Sequence, residues 1–263
     1  MLINIILWVL SAAVSAVIYA LCPTLSLWWL PLLLIGGYAV GAVLELTLLL
    51  LCSCFMKTAM PSRVRRAFYR VISHTAEWVV LLCGTRTRII GLERLPKDTP
   101  FLLVSNHLSN LDPLIKMAAL RGWELPFVSK PENFKIPLAG PIMRNSSFLP
   151  IDRENPRNAV ATIKKAVENI AARGLCMGIY PEGTRNKTGE GLLPFHNGSF
   201  KIATIAKCPV AVLTVKYEKG SFPYRRLAHI AVVEMLDADY IAANRTDAIS
   251  ERAREIIEKD LCN

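Results

Sequence analysis

The first 56 residues constrain this chain more than any other feature of its sequence. They contain no lysine or arginine, and Glu45 is their only acidic residue. All 31 lysines and arginines of the 263-residue chain follow Met56. A segment this long and this apolar has too much surface to hide within a soluble domain of ordinary size. The sequence therefore predicts two regions that face different solvents.

Two apolar runs make up this segment. The first, residues 2–21, carries no charge, and as a helix it would reach roughly 30 Å, the thickness of a bilayer's hydrocarbon core. The letters "CPT" interrupt the chain at 22–24, and the second run covers 25–56. We predict a hydrophobic, membrane-anchoring helical hairpin over residues 1–60. The pattern fits a hairpin that spans the bilayer and one that enters a single leaflet.

A cleaved signal peptide is the alternative, since "AVSA" near residue 16 is typical of a cleavage site. However, the segment has no basic start, and the second run would still need a membrane. Basic residues crowd directly after that run, at Lys57, Arg63, Arg65, Arg66 and Arg70. By the positive-inside rule, the domain that follows is expected on the cytoplasmic face of the cell membrane.

Residues 61–84 begin with arginines and become apolar. Phe68, Ile72, Thr75 and Val79 recur at helical spacing, which predicts an amphipathic helix. We predict a basic interfacial helix whose cations meet anionic lipid headgroups. A helix packed on the domain core, with a solvated basic end, fits the same pattern.

From residue 85 to residue 263, strand-like runs alternate with helix-like segments. The runs "RTRIIGLE", "FLLVSN", "LCMGIY" and "PVAVLTVKY" predict strands, and 113–121 and 246–261 predict helices. Such alternation favours an α/β domain with a central, mostly buried sheet surrounded by helices. The seven cysteines and four histidines show no spacing typical of metal ligands, so no metal site is predicted.

The stretch "VSNHLSNLDP" holds His107 and Asp112 at a spacing that does not bring side chains together on a helix. Asp112 followed by Pro113 is typical of a helix start, so the gap spans a turn between strand and helix. Open α/β folds keep their sites at such strand ends. If the turn folds back, the carboxylate orients the imidazole as a general base. The alternative is that Asp112 only caps its helix and His107 is an ordinary loop histidine.

Cationic side chains follow three of the predicted strands. Arg185 ends "YPEGTR", Arg153 ends "FLPIDR" and Lys130 ends "FVSK". Guanidinium forks, with the Thr184 hydroxyl, suit a phosphate group. Glu182 is expected to orient an arginine by an ion pair. Together these residues predict a site for an anionic lipid headgroup.

The segments "NHLSNLD", "FLPIDR" and "YPEGTR", in this order, resemble the motifs of the glycerolipid acyltransferases, most closely the 1-acyl-glycerol-3-phosphate (lysophosphatidate) acyltransferases. The resemblance runs from about residue 68 to 235. It implies that an acyl group passes from acyl-CoA or acyl-carrier protein to the free hydroxyl of lysophosphatidate. The product would be phosphatidate, for phospholipid synthesis. The resemblance implies contact with membrane lipids and no metal, bound cofactor or nucleic acid.

The resemblance also assigns roles to particular residues. By resemblance, His107 is the base. Asp112 is the carboxylate that orients the imidazole and stabilises its charged form. Arg153 and Lys130 become phosphate ligands. The acceptor-binding motif comprises Glu182, Gly183, Thr184 and Arg185.

Some positions depart from the family's usual pattern. Ser147 stands where glycine is common, Pro150 lies inside the second motif, and His196 occupies a usually basic position. Leu213 stands near the place of a usual proline. Glycerol-3-phosphate and lyso-aminolipids therefore remain alternative acceptors. A membrane lipid-binding protein without turnover is a further alternative, although binding alone would not require a base beside a carboxylate.

Overall fold

The structure, a computed structural model, describes residues 2–22, 24–55, 61–152, 156–188 and 191–262. The chain divides into two compact units, Met1–Phe55 and Met56–Asn263.

The first unit is a pair of helices. They are α1 (Leu2–Leu21) and α2 (Leu30–Phe55), with a short 3-10 turn at Leu27–Trp29. Small residues let the helices approach closely, since a Cβ placed on Gly37 would lie 2.5 Å from the Ser11 hydroxyl. By length and composition, one helical segment among the described residues, Leu27–Leu51, is apolar enough to cross a membrane, and the apolar part of α1 is shorter.

The second unit begins with α3 (Ser62–Leu82), which packs against α4 (Asp112–Ala119) and the first strand. Its buried face carries Phe68, Tyr69 and Ile72, whereas the arginines of its first two turns include exposed members such as Arg63 and Arg66. The helix is thus packed on the domain core and keeps a solvated basic end. Its contact with a membrane surface stays a prediction.

The centre of the second unit is a five-stranded sheet in the order β1-β7-β6-β2-β5. Only the pair β6 and β7 is antiparallel among the described strands of this sheet. The strands are β1 (Thr85–Ile90), β2 (Leu102–Ser105), β5 (Met177–Ile179), β6 (Val210–Lys219) and β7 (Arg226–Leu236). Two shorter strands, β3 (Val128–Ser129) and β4 (Leu149–Pro150), pair in parallel beside it.

Helices surround this sheet, which confirms the predicted α/β class. Besides α3 and α4 they are α5 (Ala139–Asn145), α6 (Pro156–Ala171), α7 (Lys201–Ala206), α8 (Ala238–Ala243) and α9 (Thr246–Cys262). Every residue of β2 is fully buried, because β5 and β6 flank it and helices cover the sheet. This explains why β2 is a continuous apolar run without alternation.

Strand direction defines one functional edge of the sheet. Because β2, β5 and β6 are parallel, they all end at the same side, which we call the carboxyl edge. The strands β1 and β7 start at this edge, since Lys219 at the end of β6 pairs with Arg226 at the start of β7, and Arg226 pairs with Thr85. The turns that follow β2 and β5 therefore meet there.

Candidate active site

A turn at the carboxyl edge brings the histidine and the aspartate together. After β2 the chain folds back, and the Nδ1 atom of His107 lies 2.8 Å from Oδ2 of Asp112. The same oxygen accepts hydrogen bonds from the backbone N–H groups of Leu108, at 2.7 Å, and Ser109, at 2.8 Å. The Asp112 side chain therefore binds the turn that precedes its helix and does not cap the amides of α4. Asp112 is therefore not the simple helix cap that the sequence left as an alternative.

The other carboxylate oxygen of Asp112 is also occupied. Its Oδ1 accepts a hydrogen bond from the hydroxyl of Tyr217, at 2.5 Å, near the end of β6. The aspartate is fully buried. Burial alone would raise its pKa, but the bond from His107, the charge of Lys116 and the bond from Tyr217 hold that pKa below its usual range. Asp112 is therefore a carboxylate with four donors around it.

The Glu182 side chain holds the backbone of His107 in place. It is buried, and its Oε1 accepts the backbone N–H of His107 at 2.7 Å while Oε2 accepts the N–H of Leu193 at 3.2 Å. The backbone N–H of Asn186 donates to the His107 carbonyl at 2.7 Å. The loop after β5 thus forms hydrogen bonds with both the backbone N–H and the backbone carbonyl of His107. The expected ion pair between Glu182 and an arginine is not formed among the described residues.

Two side chains of the site, His107 and Lys116, contact the ring of Tyr180. The His107 ring lies on the Tyr180 ring, with centroids 4.0 Å apart and planes 14° apart. The Nζ atom of Lys116 lies 4.9 Å from the centroid of the same tyrosine ring. Lys116 is 0% exposed, and its Nζ has no hydrogen-bond partner in the part of the chain that the structure describes. An ammonium group is therefore buried next to the candidate base.

This arrangement sets the charge of the histidine. Burial lowers the pKa of Lys116 to about 8, and the nearby carboxylates of Asp112 and Glu182 oppose that change. Burial, assisted by the positive charges of Lys116 and Arg185, holds the pKa of His107 below its usual range despite its bond to Asp112. His107 is then neutral, with Nδ1–H donated to the carboxylate and Nε2 left to accept a proton.

The predicted acceptor-binding motif, residues 182–185, lies in the loop that follows β5. Gly183 has φ of 78°, in the left-handed region that favours glycine, and this turns the chain after Glu182. Thr184 is exposed and Arg185 is half-buried. Arg185 directly precedes Asn186, whose backbone N–H donates to the carbonyl of His107.

The other predicted phosphate ligands lie further from this turn in sequence. Lys130 is exposed and directly follows β3, where a 3-10 turn begins. Arg153 lies outside the described residues. No group of three or more histidine, cysteine and acidic side chains among the described residues is arranged to hold a metal ion.

Three residues of the site do not follow from the sequence motifs. Lys116 had a usable signal, because it is the one charge in the apolar stretch "LIKMAAL", one helical turn after Asp112. Tyr180 stands within the quoted "IYPEGTR", but its stacking depends on the fold. Tyr217 had no local signal, since 105 positions separate it from the carboxylate that it binds.

The chain is similar in sequence to known acyltransferases. Residues 86–216 match the family described as Acyltransferase. The chain is 37% identical over 154 residues to the chloroplastic 1-acyl-sn-glycerol-3-phosphate acyltransferase BAT2 of Brassica napus, covering 58% of this chain and 44% of that protein. It is 31% identical over 134 residues to the human 1-acyl-sn-glycerol-3-phosphate acyltransferase alpha, covering 51% and 47%. The chain thus spans about half the length of these curated relatives.

A solved structure shares the fold. The crystal structure of the 1-acyl-sn-glycerophosphate acyltransferase PlsC from Thermotoga maritima superposes with a TM-score of 0.63, covering 84% of this chain and 96% of that one at 20% identity. The fold and the motif-bearing edge define an acyltransferase domain. The chain belongs to the acyltransferase family, and its curated relatives are 1-acyl-sn-glycerol-3-phosphate acyltransferases.

The buried ammonium leads to a prediction about pH. The pKa of His107 is lowered partly by Lys116, so Lys116→Met should raise it. If His107 is the base, activity needs its neutral imidazole and falls as pH drops through that pKa. The acidic limb of the kcat/KM profile for acyl transfer should therefore move to higher pH.

The same profile for Lys201→Met is the control, because Lys201 is an exposed lysine at the start of α7. Its acidic limb should coincide with that of the unaltered chain. Circular dichroism melting of both variants checks that Met, of similar length, keeps the fold. An unmoved acidic limb in a folded Lys116→Met protein contradicts the electrostatic role.

Proposed function

We propose that this protein transfers a fatty acyl group from an acyl thioester to the free hydroxyl of lysophosphatidate and releases phosphatidate. The observation that carries the proposal is the contact between Nδ1 of His107 and the buried Asp112 carboxylate, which leaves Nε2 for the acceptor hydroxyl. The names of the curated relatives support lysophosphatidate as the acceptor. Acyl-CoA and acyl-carrier protein both remain candidate donors.

The chemistry needs one base and correct positioning. The Nε2 atom of His107 removes the proton of the acceptor hydroxyl while that oxygen attacks the thioester carbonyl carbon. A C–O bond forms, and the resulting tetrahedral intermediate then loses the sulfur as the C–S bond breaks. The imidazolium returns its proton to the departing sulfur, which leaves as a thiol. Asp112 stabilises the imidazolium between these steps.

The acceptor's phosphate is proposed to bind the cations at the carboxyl edge. Arg185, the Thr184 hydroxyl, Lys130 and Arg153 supply donors of the kind that bind phosphate. Glu182 and Gly183 act indirectly in this proposal. The glutamate holds the His107 main chain, and the glycine provides the turn that presents Arg185.

The remaining regions are proposed to keep the domain at its substrate. Residues 1–60 anchor the chain in the membrane, 61–84 lie at the interface, and 85–263 perform catalysis on the cytoplasmic face. The apolar composition of α1 and α2 and the cluster of arginines that follows them support this assignment.

The role of the base is tested by His107→Ala. Loss of the base should lower thiol release on addition of lysophosphatidate by about a thousandfold, while the protein still folds and sits in membranes. His229→Ala is the matched control, because that histidine lies on β7 and pairs with Glu218 at 3.0 Å. Thiol release by His107→Ala at the unaltered rate would refute the assignment.

The phosphate site is tested by Arg185→Gln. Removing the guanidinium should raise the KM for lysophosphatidate at least about tenfold and leave the KM for the acyl donor unchanged. Arg245→Gln serves for comparison, since the Arg245 side chain is 89% exposed. A panel of acceptors, including glycerol-3-phosphate and a lyso-aminolipid, identifies the preferred one. Equal losses for donor and acceptor would count against a phosphate contact.

A further inference from the structure

The hairpin formed by β6 and β7 extends beyond β2 and β5 at the carboxyl edge. The strand β2 ends at Ser105, paired with Leu213, whereas β6 continues to Lys219 with β7 alongside. We propose that the end of this hairpin, residues 219–226, docks on the anionic surface of a phospholipid bilayer. We call these residues the docking tip.

The apex of the docking tip is an exposed aromatic side chain. Phe222 is 98% exposed. The loop that carries it is closed by two backbone hydrogen bonds, from Gly220 N–H to the Arg225 carbonyl at 3.0 Å and from Tyr224 N–H to the Ser221 carbonyl at 2.9 Å. The loop therefore holds the ring away from the protein surface. An exposed Phe ring is suited to insertion into the interface of a bilayer, as on the apolar faces of helices that bind there.

The docking tip is attached to the end of α3. The backbone N–H groups of Arg225 and Arg226 donate to the carbonyl of Gly84, at 2.7 and 3.1 Å. Leu82, the last residue of α3, is 79% exposed and lies two positions before this contact. A second exposed apolar side chain thus lies two residues from the point where the docking tip is attached.

Cations surround the apex. The segment "KGSFPYRR" contains Lys219, Arg225 and Arg226 and no acidic residue, and all three cations are exposed. Arg86, also exposed, is held nearby with its guanidinium 6.0 Å from the ring centroid of Tyr224. An apolar apex with a cationic rim complements a bilayer, whose anionic headgroups lie above an apolar interior.

The docking tip is linked to the candidate base by one strand. Tyr217, which binds Asp112, precedes Lys219 by two residues on β6. Docking would therefore hold the carboxyl edge next to the bilayer, so that a lipid acceptor reaches His107 without leaving the interface completely. This consequence rests on the proposed function, whereas the docking itself rests on the surface alone.

Photocrosslinking of the full chain tests the contact directly. The chain carries p-benzoylphenylalanine in place of Phe222 and is reconstituted in vesicles of phosphatidylglycerol or of phosphatidylcholine. The control carries the same group in place of Ile205, which is 59% exposed on α7, the helix that precedes the start of β6 at the opposite edge. Lipid adducts should form at position 222 and not at 205. Equal yields at the two positions overturn the proposal.

The cationic rim is tested in the same crosslinking protein. Lys219→Gln with Arg225→Gln should lower the yield from phosphatidylglycerol by at least about fivefold, since each cation near an anionic surface contributes about this factor. Lys201→Gln with Lys207→Gln removes two exposed charges elsewhere and should leave the yield unchanged. A phosphatidylglycerol yield that is insensitive to Lys219 and Arg225 contradicts an electrostatic dock.

An activity measurement separates docking from catalysis. Phe222→Ser should lower turnover of long-chain lysophosphatidate in vesicles about tenfold, and leave turnover of a short-chain, water-soluble lysophosphatidate unchanged. Equal losses for both acceptors would overturn the docking role. If the chain with p-benzoylphenylalanine at position 222 forms lipid adducts but the unaltered chain transfers no acyl group, the proposed function is refuted and the docking stands.

Discussion

The carboxylate of Asp112 is the interaction on which the rest of the site depends. It accepts hydrogen bonds from the His107 ring, two amides of the turn and the Tyr217 hydroxyl, and it is fully buried. A buried charge that lost such partners would cost several kcal/mol. The turn, α4 and β6 are therefore held in one arrangement, and that arrangement orients the imidazole.

Charge is distributed on two sides of this histidine. Lys116 lies beneath the Tyr180 ring, inside the core, and Arg185 belongs to the loop outside it. A phosphate near His107 would favour the imidazolium and so weaken the base. The charges of Lys116 and Arg185 act in the opposite direction, because both lower the pKa of His107. The buried lysine thus acts on the same pKa as Arg185 although it contacts no solvent.

Local patterns in the sequence predict much of this architecture, because their physical causes are local. Apolar runs mark the buried strands, and the pair Asp112-Pro113 marks the start of α4, so the turn that joins His107 to its carboxylate follows. The contacts of Tyr217 and the bonds of Glu182 depend on which strands are neighbours. Both depend on β2 lying between β6 and β5, and no short stretch of sequence encodes that order.

The protonation state of His107 tests this account most directly. Histidine labelled with ¹⁵N, in the unaltered chain and in Asp112→Asn, shows by NMR which ring nitrogen carries the proton, and His107→Ala assigns the signal. At neutral pH the unaltered chain should show a neutral ring with the proton on Nδ1, and Asp112→Asn should lose this preference. An imidazolium at neutral pH, or a proton on Nε2 in the unaltered chain, would contradict the account.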